Sequence, residues 1–234
     1  MQATRFLTTL IAFFLVSCDR GATTGHPGNE SENPGGRSFY EMVTGNSVGD
    51  GQSGWDKLFN TSRYIYGKDP IPFLSKHINK IPKGDALVLA VGEGRNGVYL
   101  ARKGFRVTGI DISDVALKKA HRLAKEYNVK INLIQGNLKF YKIPENKYDL
   151  IVNVTYFRKG LIPSIKAGLK RGGAVVFENY TVDHLKYPAG LSVPKRFLVE
   201  KGELRALFSD FQILDYQETD DGKEAKAHLL AIKP

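Results

Sequence analysis

Residues 86–97 read Ala-Leu-Val-Leu-Ala-Val-Gly-Glu-Gly-Arg-Asn-Gly, and residues 109–114 read Gly-Ile-Asp-Ile-Ser-Asp. The first stretch is an apolar run that ends in a Gly-x-Gly turn, which predicts a buried strand leading into a helix. The second stretch ends another apolar run at the carboxylate of Asp111. Glycines let the backbone approach a ligand closely, and an acid at the end of the second strand accepts hydrogen bonds from ribose hydroxyls. The pattern therefore predicts a pocket for an adenosine-containing small molecule.

From Trp55 onward, predicted strands alternate with predicted helices, which is typical of an α/β fold. The predicted strands are Ala86–Val91, Arg106–Asp111, Lys130–Gly136, Tyr148–Val154, Gly173–Asn179, Phe211–Gln217 and Ala225–Ile232. The predicted helices are Asn96–Lys103, Ser113–Tyr127, Gly160–Lys170 and Glu203–Phe208. We expect a Rossmann-like three-layer α/β/α sandwich with a seven-stranded, mostly parallel sheet.

Local signals predict how several of these elements begin and end. Ser113 is the predicted N-cap of its helix, with Asp114 favourable to the helix dipole. Lys170-Arg171-Gly172-Gly173 is the predicted end of the third helix, with cations in the last turn and glycine beyond it. Asp220-Asp221-Gly222 predicts a hairpin, so the last two strands should be antiparallel.

The composition argues against two kinds of site. The net charge of +10 comes from basic residues that are spread along the chain, without the dense run of a nucleic-acid-binding arm. The best basic stretch, Lys118–Lys125, is interpreted as the solvated face of an amphipathic helix. Cys18 is the only cysteine, which excludes a disulfide within the chain and a thiol cluster, and the histidines are scattered. We expect no metal site and no nucleic-acid partner.

The N-terminus has the pattern of an export signal. Residues 1–18 contain Arg5 and then an apolar stretch from Leu7 to Val16, which is too short for an ordinary membrane span. The stretch ends in Leu15-Val16-Ser17-Cys18, which resembles the lipobox of bacterial lipoproteins and implies lipidation of Cys18. This interpretation places the protein at a membrane, on a side that the sequence leaves open.

Residues 19–54 are rich in Gly, Ser, Asn and Thr, which predicts a flexible polar linker before a folded domain at residues 55–234. Two alternatives remain for the leader. It is an uncleaved signal anchor, or translation starts at Met42 and leaves the folded domain in the cytoplasm.

The predicted elements and their motifs resemble the class I S-adenosylmethionine-dependent methyltransferases over residues 55–233, in a small-molecule and tellurite-resistance-like branch. Val91–Asn96 resembles the glycine-rich first motif, and Asp111 the ribose-binding acid. Gln135–Leu138 resembles the segment that contacts adenine, and Leu169–Gly173 the entry to the fifth strand. The stretch at 55–70 resembles the segment that this branch folds over the cofactor.

The resemblance implies S-adenosylmethionine as cofactor, a small-molecule methyl acceptor, and in-line methyl transfer. The implied cofactor-binding residues are Gly92, Glu93, Gly94, Asn96, Asp111, Ile112, Asn137, Leu138 and Val154. The candidate substrate-pocket residues are Tyr64, Tyr66, Tyr156 and Tyr180. The acceptor is expected to enter between residues 55–73, named the cap below, and residues 180–199. No base stands out, which favours a soft or already ionised acceptor, and no catalytic residue is assigned.

Val88 and Ala90 depart from the family pattern, which carries an acid and a glycine at these positions. They motivate an alternative, a membrane-tethered binding module that keeps the fold without the chemistry. The Gly-x-Gly-x-x-Gly spacing from Gly92 also satisfies the dinucleotide fingerprint, although an oxidoreductase would need a further half or a substrate domain. Individual residues have plainer roles open to them: Glu93 as a solvated loop residue, and Asn96 as a helix N-cap.

Overall fold

The computed structural model of the chain describes residues 51–188, 193 and 195–234. The predicted signal segment, the lipidation site at Cys18 and nearly all of the predicted linker lie outside this range. The first described helix starts at Gln52, a few residues before the predicted domain boundary at Trp55. None of the helices in the described ranges is long and apolar enough to span a bilayer.

The described elements follow the predicted alternation. The helices are α1 (Gln52–Phe59), α2 (Pro72–His77), α3 (Arg95–Arg102), α4 (Asp114–Glu126), α5 (Ile162–Gly168) and α6 (Glu203–Leu207). The strands are β1 (Asp85–Leu89), β2 (Arg106–Asp111), β3 (Asn132–Gln135), β4 (Tyr148–Val154), β5 (Leu169–Tyr180), β6 (Gln212–Asp220) and β7 (Ala225–Ile232). Short 3-10 turns lie at Ile78–Lys80, Lys159–Leu161, Val182–Lys186 and Lys195–Phe197.

The strands form one seven-stranded sheet in the order β3-β2-β1-β4-β5-β7-β6. The first five in this order are parallel, whereas β7 is antiparallel to both β5 and β6. The predicted fold class is therefore confirmed, including the antiparallel C-terminal hairpin. Since parallel strands all end at the same edge, the loops after β1, β2, β3 and β4 converge there.

Alternate side chains of the central strands pack into separate cores on the two faces of the sheet. In β1, Leu87 and Leu89 contact one apolar cluster, whereas Ala86 and Val88 contact the other. The first cluster includes residues of α5 and α6, and the second includes residues of α2 and α3. Because both faces of the strand are buried, every position of β1 from Ala86 to Leu89 is apolar.

The boundary between α5 and β5 corrects one prediction. The helix ends at Gly168, and Lys170-Arg171-Gly172-Gly173 belongs to β5 instead of the helix terminus. Leu169 already pairs with Tyr148, and the amide of Gly172 donates to the carbonyl of Lys233 at 2.9 Å. Pairing with strands that are distant in sequence thus overrides the local helix-stop signal.

The predicted start of α4 is confirmed. The Ser113 hydroxyl accepts a hydrogen bond from the amide of Ala116 at 3.1 Å, and Asp114 occupies the first turn. The N-cap Ser113 lies two residues after Asp111, the last residue of β2, so α4 begins beside the carboxylate of Asp111.

Candidate cofactor and acceptor site

A cavity of about 520 Å³ lies at the edge of the sheet where the parallel strands end. Its walls come from the cap, the loops after β1, β3 and β4, the end of β2, and the turn before Val199. Its size falls in the ordinary range for small-molecule sites. The acceptor was expected to enter between the cap and residues 180–199, and residues from both segments contribute to the wall.

Asp111 closes β2 at the wall of this cavity, with only 7% of its surface exposed. One carboxylate oxygen accepts from the amide of Gly92 at 2.7 Å, and the other from the amide of Ser113 at 2.9 Å. Burial raises the pKa of this carboxyl, against the opposing effect of the backbone amides. Among the described residues it has no cationic partner, so its remaining lone pairs suit hydroxyl donors.

The two glycines of the first loop have different tasks. Gly92 has φ +54°, and a side chain there would point into open space, with Phe59 the nearest contact at 3.8 Å. Gly94 has φ +94° and faces away from the cavity, where an added Cβ would lie 2.8 Å from that of Ala120. Gly92 therefore lines the cavity, whereas Gly94 is not among the lining residues and allows the close packing of α3 on α4.

Glu93 lines the cavity, but its carboxylate is engaged with protein groups. It forms a buried ion pair with Lys119 and accepts hydrogen bonds from the cap amides of Ile65 at 2.7 Å and Tyr66 at 3.3 Å. The interpretation of Glu93 as a solvated loop residue is wrong, because it is 3% exposed. Its side chain holds the cap to the first loop.

Asn96 also connects the cap to the first motif. It lies inside α3, whose N-cap is Gly94, so the alternative role of Asn96 as N-cap is wrong. Its side-chain oxygen accepts from the amide of Ile71 at 3.0 Å, and the residue lines the cavity. Ile112, Asn137, Leu138 and Val154 line the same cavity, as the cofactor assignment requires.

The four candidate tyrosines separate into two pairs. Tyr66 and Tyr156 line the cavity. Tyr64 is not among its lining residues, because its hydroxyl donates to the carbonyl of Lys119 at 3.1 Å and its ring packs on α4. Tyr180 is also absent from the wall, since its ring stacks on His184 at 4.1 Å in a separate apolar cluster. The structure therefore brings Tyr66 and Tyr156 to the cavity, and it places Tyr64 and Tyr180 elsewhere.

The loop after β4 carries a strained residue at the cavity wall. Thr155 has φ +54°, a conformation that is unfavourable for a β-branched side chain. Ala90, at the end of β1, has φ +49° where the family pattern has a glycine. Burial raises the pKa of the nearby Tyr156 phenol, against the opposing effect of Arg158. This phenol is therefore a neutral hydrogen-bond donor at physiological pH.

Sequence reasoning missed two structural features of the site. Lys119, which was assigned to a solvated face, is 1% exposed. Its spacing from Ala116, Ala120 and Leu123 on the buried stripe of α4 was the available signal. Asp56 was placed only in the cap, yet its carboxylate accepts from the Ser113 hydroxyl at 2.6 Å. Within the described part of the chain, no group of three or more His, Cys, Asp or Glu is placed to hold a metal.

Comparison with known proteins agrees with this geometry. Residues 86–173 match the model of a family described as "Methyltransferase domain". The probable S-adenosyl-L-methionine-dependent methyltransferase TehB of Haemophilus influenzae is 26% identical over 140 residues, which cover 56% of this chain and 47% of TehB. The probable thiol methyltransferase 2 of Arabidopsis thaliana is 26% identical over 180 residues, covering 70% of this chain and 77% of that protein.

The crystal structure of TehB from Haemophilus influenzae superposes with a TM-score of 0.60 at 23% identity, over 78% of this chain and 67% of that one. The chain spans about half the length, or less, of the first curated relatives that it matches. Residues 86–173 are therefore similar to a methyltransferase domain, and the chain shares its fold with TehB.

Proposed function

We propose that this chain is an S-adenosylmethionine-dependent methyltransferase that acts on a small-molecule acceptor. The observation that carries the proposal is the buried carboxylate of Asp111, which lines the cavity and is held by the amides of Gly92 and Ser113. A cavity of about 520 Å³, partly covered by the cap, supports a small acceptor.

The residues present fit this cofactor. Asp111 would accept from the ribose hydroxyls, which supply the donors that a buried carboxylate with no described cationic partner needs. Ile112 and Leu138 would contact the adenine ring from apolar positions, and Gly92 leaves open space beside the first loop. When bound, the cofactor supplies a methyl group activated on a sulfonium. The protein binds and orients the reactants and excludes water.

The topology argues against the oxidoreductase alternative. A dinucleotide-binding fold of the Rossmann type continues its parallel sheet beyond β5 with a sixth parallel strand. Here the strand next to β5 is β7, which is antiparallel to both β5 and β6. The glycine spacing after β1 therefore occurs in a fold that the chain shares with solved methyltransferases.

The cavity favours an acceptor that is nucleophilic without a general base from the protein. No histidine is among its described lining residues, and the two carboxylates in the wall, Glu93 and Asp111, are already engaged. Burial raises the pKa of Tyr156 and keeps its phenol protonated, so this side chain does not supply a base. A thiolate or another soft anion reacts without a general base, and a thiol methyltransferase is among the curated relatives. A soft or ionised acceptor is therefore the one that the site fits.

We further propose that the enzyme is attached to a membrane through a lipid on Cys18, which rests on the lipobox-like residues 15–18. Metabolic labelling with a radioactive fatty acid tests this anchor. The label is expected on the full chain and is expected to be absent from Cys18→Ala. Labelling of neither protein would favour a start at Met42.

Isothermal calorimetry of the full chain with S-adenosylmethionine, S-adenosylhomocysteine and NAD tests the proposed function. We expect the first two ligands to bind and NAD not to bind. Asp111→Asn should weaken binding by about 10-fold to 100-fold, since a buried charged acceptor becomes an amide. Asp114→Asn, a matched change at an exposed acid in the first turn of α4, should leave the affinity unchanged.

Two results would contradict the proposal. If neither S-adenosylmethionine nor S-adenosylhomocysteine binds, the chain does not use the proposed cofactor. If Asp111→Asn binds as tightly as the parent, the cofactor site does not lie at Asp111. Binding without methyl transfer to any of a panel of thiols, phenols and amines would instead favour the non-catalytic module.

A further inference from the structure

A fully buried ion pair lies where the cap meets the cofactor half of the domain. The side chains of Glu93 and Lys119 are 2% and 1% exposed. Charged side chains are rarely buried to this extent, because removal from water costs more than their attraction usually returns. The proposed methyl transfer assigns neither side chain a contact with the reacting atoms. The pair therefore needs a separate explanation.

The two charges of the pair contact different backbone groups of residues 59–66 of the cap, named the turn below. The ammonium of Lys119 donates to the carbonyl of Arg63 at 2.6 Å and to that of Phe59 at 3.2 Å. The carboxylate of Glu93 accepts from the amides of Ile65 and Tyr66. Carbonyls of residues 59–63 thus contact the cation, and amides of residues 65–66 contact the anion.

The same turn forms part of the cavity wall. Phe59 and Tyr66, at its two ends, both line the cavity. Glu93 stands next to Gly92, whose amide donates to Asp111. The ion pair therefore connects the loop that receives the ribose-binding acid to the segment that covers the cavity.

We propose that Glu93 and Lys119 are positioning residues, a buried latch that holds the cap over the cofactor without touching the reacting atoms. This inference rests on the proposed function for the identity of the ligand, but the latch itself is a property of the ligand-free chain. An apolar pair of similar volume would fill the space at a lower desolvation cost. Only the charged pair supplies directional contacts to both the carbonyls and the amides of the turn.

The structure offers a matched control. Lys68 of the cap pairs with Glu126 of α4 at 2.7 Å, so it also links the cap to this helix. Its side chain is 38% exposed, and neither partner lines the cavity. An exposed pair of this kind contributes little. Lys68→Met therefore removes a cap contact without disturbing the latch.

The test compares the full-length parent, the double variant Glu93→Gln with Lys119→Met, and Lys68→Met. The double change neutralises both charges together, so neither is left buried without a partner. Trypsin cleavage after Arg63 reports on the order of the cap, and the thermal unfolding midpoint reports on the rest of the fold. Trp55, the only tryptophan, lines the cavity, so its fluorescence reports the binding of S-adenosylhomocysteine.

Without ligand, the double variant should be cleaved after Arg63 about tenfold faster than the parent, at a similar unfolding midpoint. Its affinity for S-adenosylhomocysteine should fall about tenfold, as expected if the closed cap is populated a tenth as often. Lys68→Met should match the parent in all three measurements.

Unchanged cleavage in the double variant would overturn the latch. A loss of midpoint that accounts for the faster cleavage would also overturn it, because the pair would then only stabilise the fold. If the parent does not bind S-adenosylhomocysteine, the proposed function fails, and the ligand-free cleavage still decides whether the latch exists.

Discussion

Two walls of the cavity differ in the burial of their polar side chains. The first wall is formed by the ends of β1 and β2, and the second by the loop after β4. In the first wall, the carboxylates of Glu93 and Asp111 are buried and engaged by backbone amides or a buried ammonium. In the second wall, Arg158 and Lys159 are exposed, and Lys159 pairs with Glu203 at the surface. A ligand at the first wall meets fixed geometry, whereas one at the second meets groups that are free to rearrange.

This difference matches the two ligands of the proposed methyltransferase. The cofactor is the same in every turnover, so a rigid wall with paired donors and acceptors suits it. The acceptor is the part that differs among proteins of this fold, and loops with exposed side chains adapt to it more easily. The following predictions test how rigid each wall is, from the largest expected effect to the smallest.

Gly94→Ala should destabilise the first wall by about 2–4 kcal/mol. The residue has φ +94°, and its added Cβ would overlap Ala120 in α4, so strain and overpacking act together. The matched change Gly160→Ala, in the second wall, meets no atom within 4 Å and should alter stability by less than about 1 kcal/mol. Urea unfolding of both variants measures the contrast, and equal effects would mean that the first wall is no tighter than the second.

The affinity for S-adenosylhomocysteine should fall as the pH is lowered, and the fall should begin at a higher pH than the ordinary pKa of an aspartate predicts. Burial raises the pKa of Asp111 in the free protein, and ribose hydroxyls donate to the ionised form. Binding therefore releases the proton, so affinity is full above the raised pKa and falls by up to tenfold per pH unit below it.

Calorimetry from about pH 4 to about pH 8, a range that spans the ordinary aspartate value and neutrality, measures this profile. Asp111→Asn should lose this part of the pH dependence. If the affinity of the parent depends on pH in the same way as that of Asp111→Asn, a group other than Asp111 is titrating.

Replacement of the two strained residues by glycine should stabilise the chain by about 1 kcal/mol each, because glycine adopts a positive φ without a steric penalty. Ala90→Gly tests the first wall and Thr155→Gly the second. Ala101→Gly, in α3, is the control and should destabilise by about 1 kcal/mol. If Thr155→Gly stabilises while methyl transfer declines, the strain at Thr155 serves the acceptor site.

The contrast between the walls also appears in what the sequence predicted. The bounds of β2 and β4 match the prediction, since both are apolar runs buried in the middle of the sheet. Ser113 was predicted as N-cap from adjacent residues alone. Asp111 was predicted from its place at the end of an apolar strand. Each of these features was predicted from a pattern that spans only a few neighbouring residues.

The residues that the structure places differently from the prediction have partners that are far away in sequence. The Tyr180 hydroxyl donates to the carboxylate of Glu224, 44 residues later, at 3.3 Å. Lys119 is buried because the cap, more than fifty residues earlier, covers it. The end of α5 is displaced by pairing of β5 with Lys233. Local patterns carry no information on such contacts.

By itself, the sequence determined the alternation of strands and helices, the antiparallel hairpin, and the acid at the end of β2 beside a glycine turn. Hydrophobic period, capping and turn chemistry are local properties, so they can be read directly from neighbouring residues. Only the tertiary structure decided that Glu93 and Lys119 hold the cap, and that Tyr66 and Tyr156 reach the cavity while Tyr64 and Tyr180 do not. The reason is that burial and partner choice depend on which distant segments meet, and these are settled only when the sheet, the helices and the cap pack together.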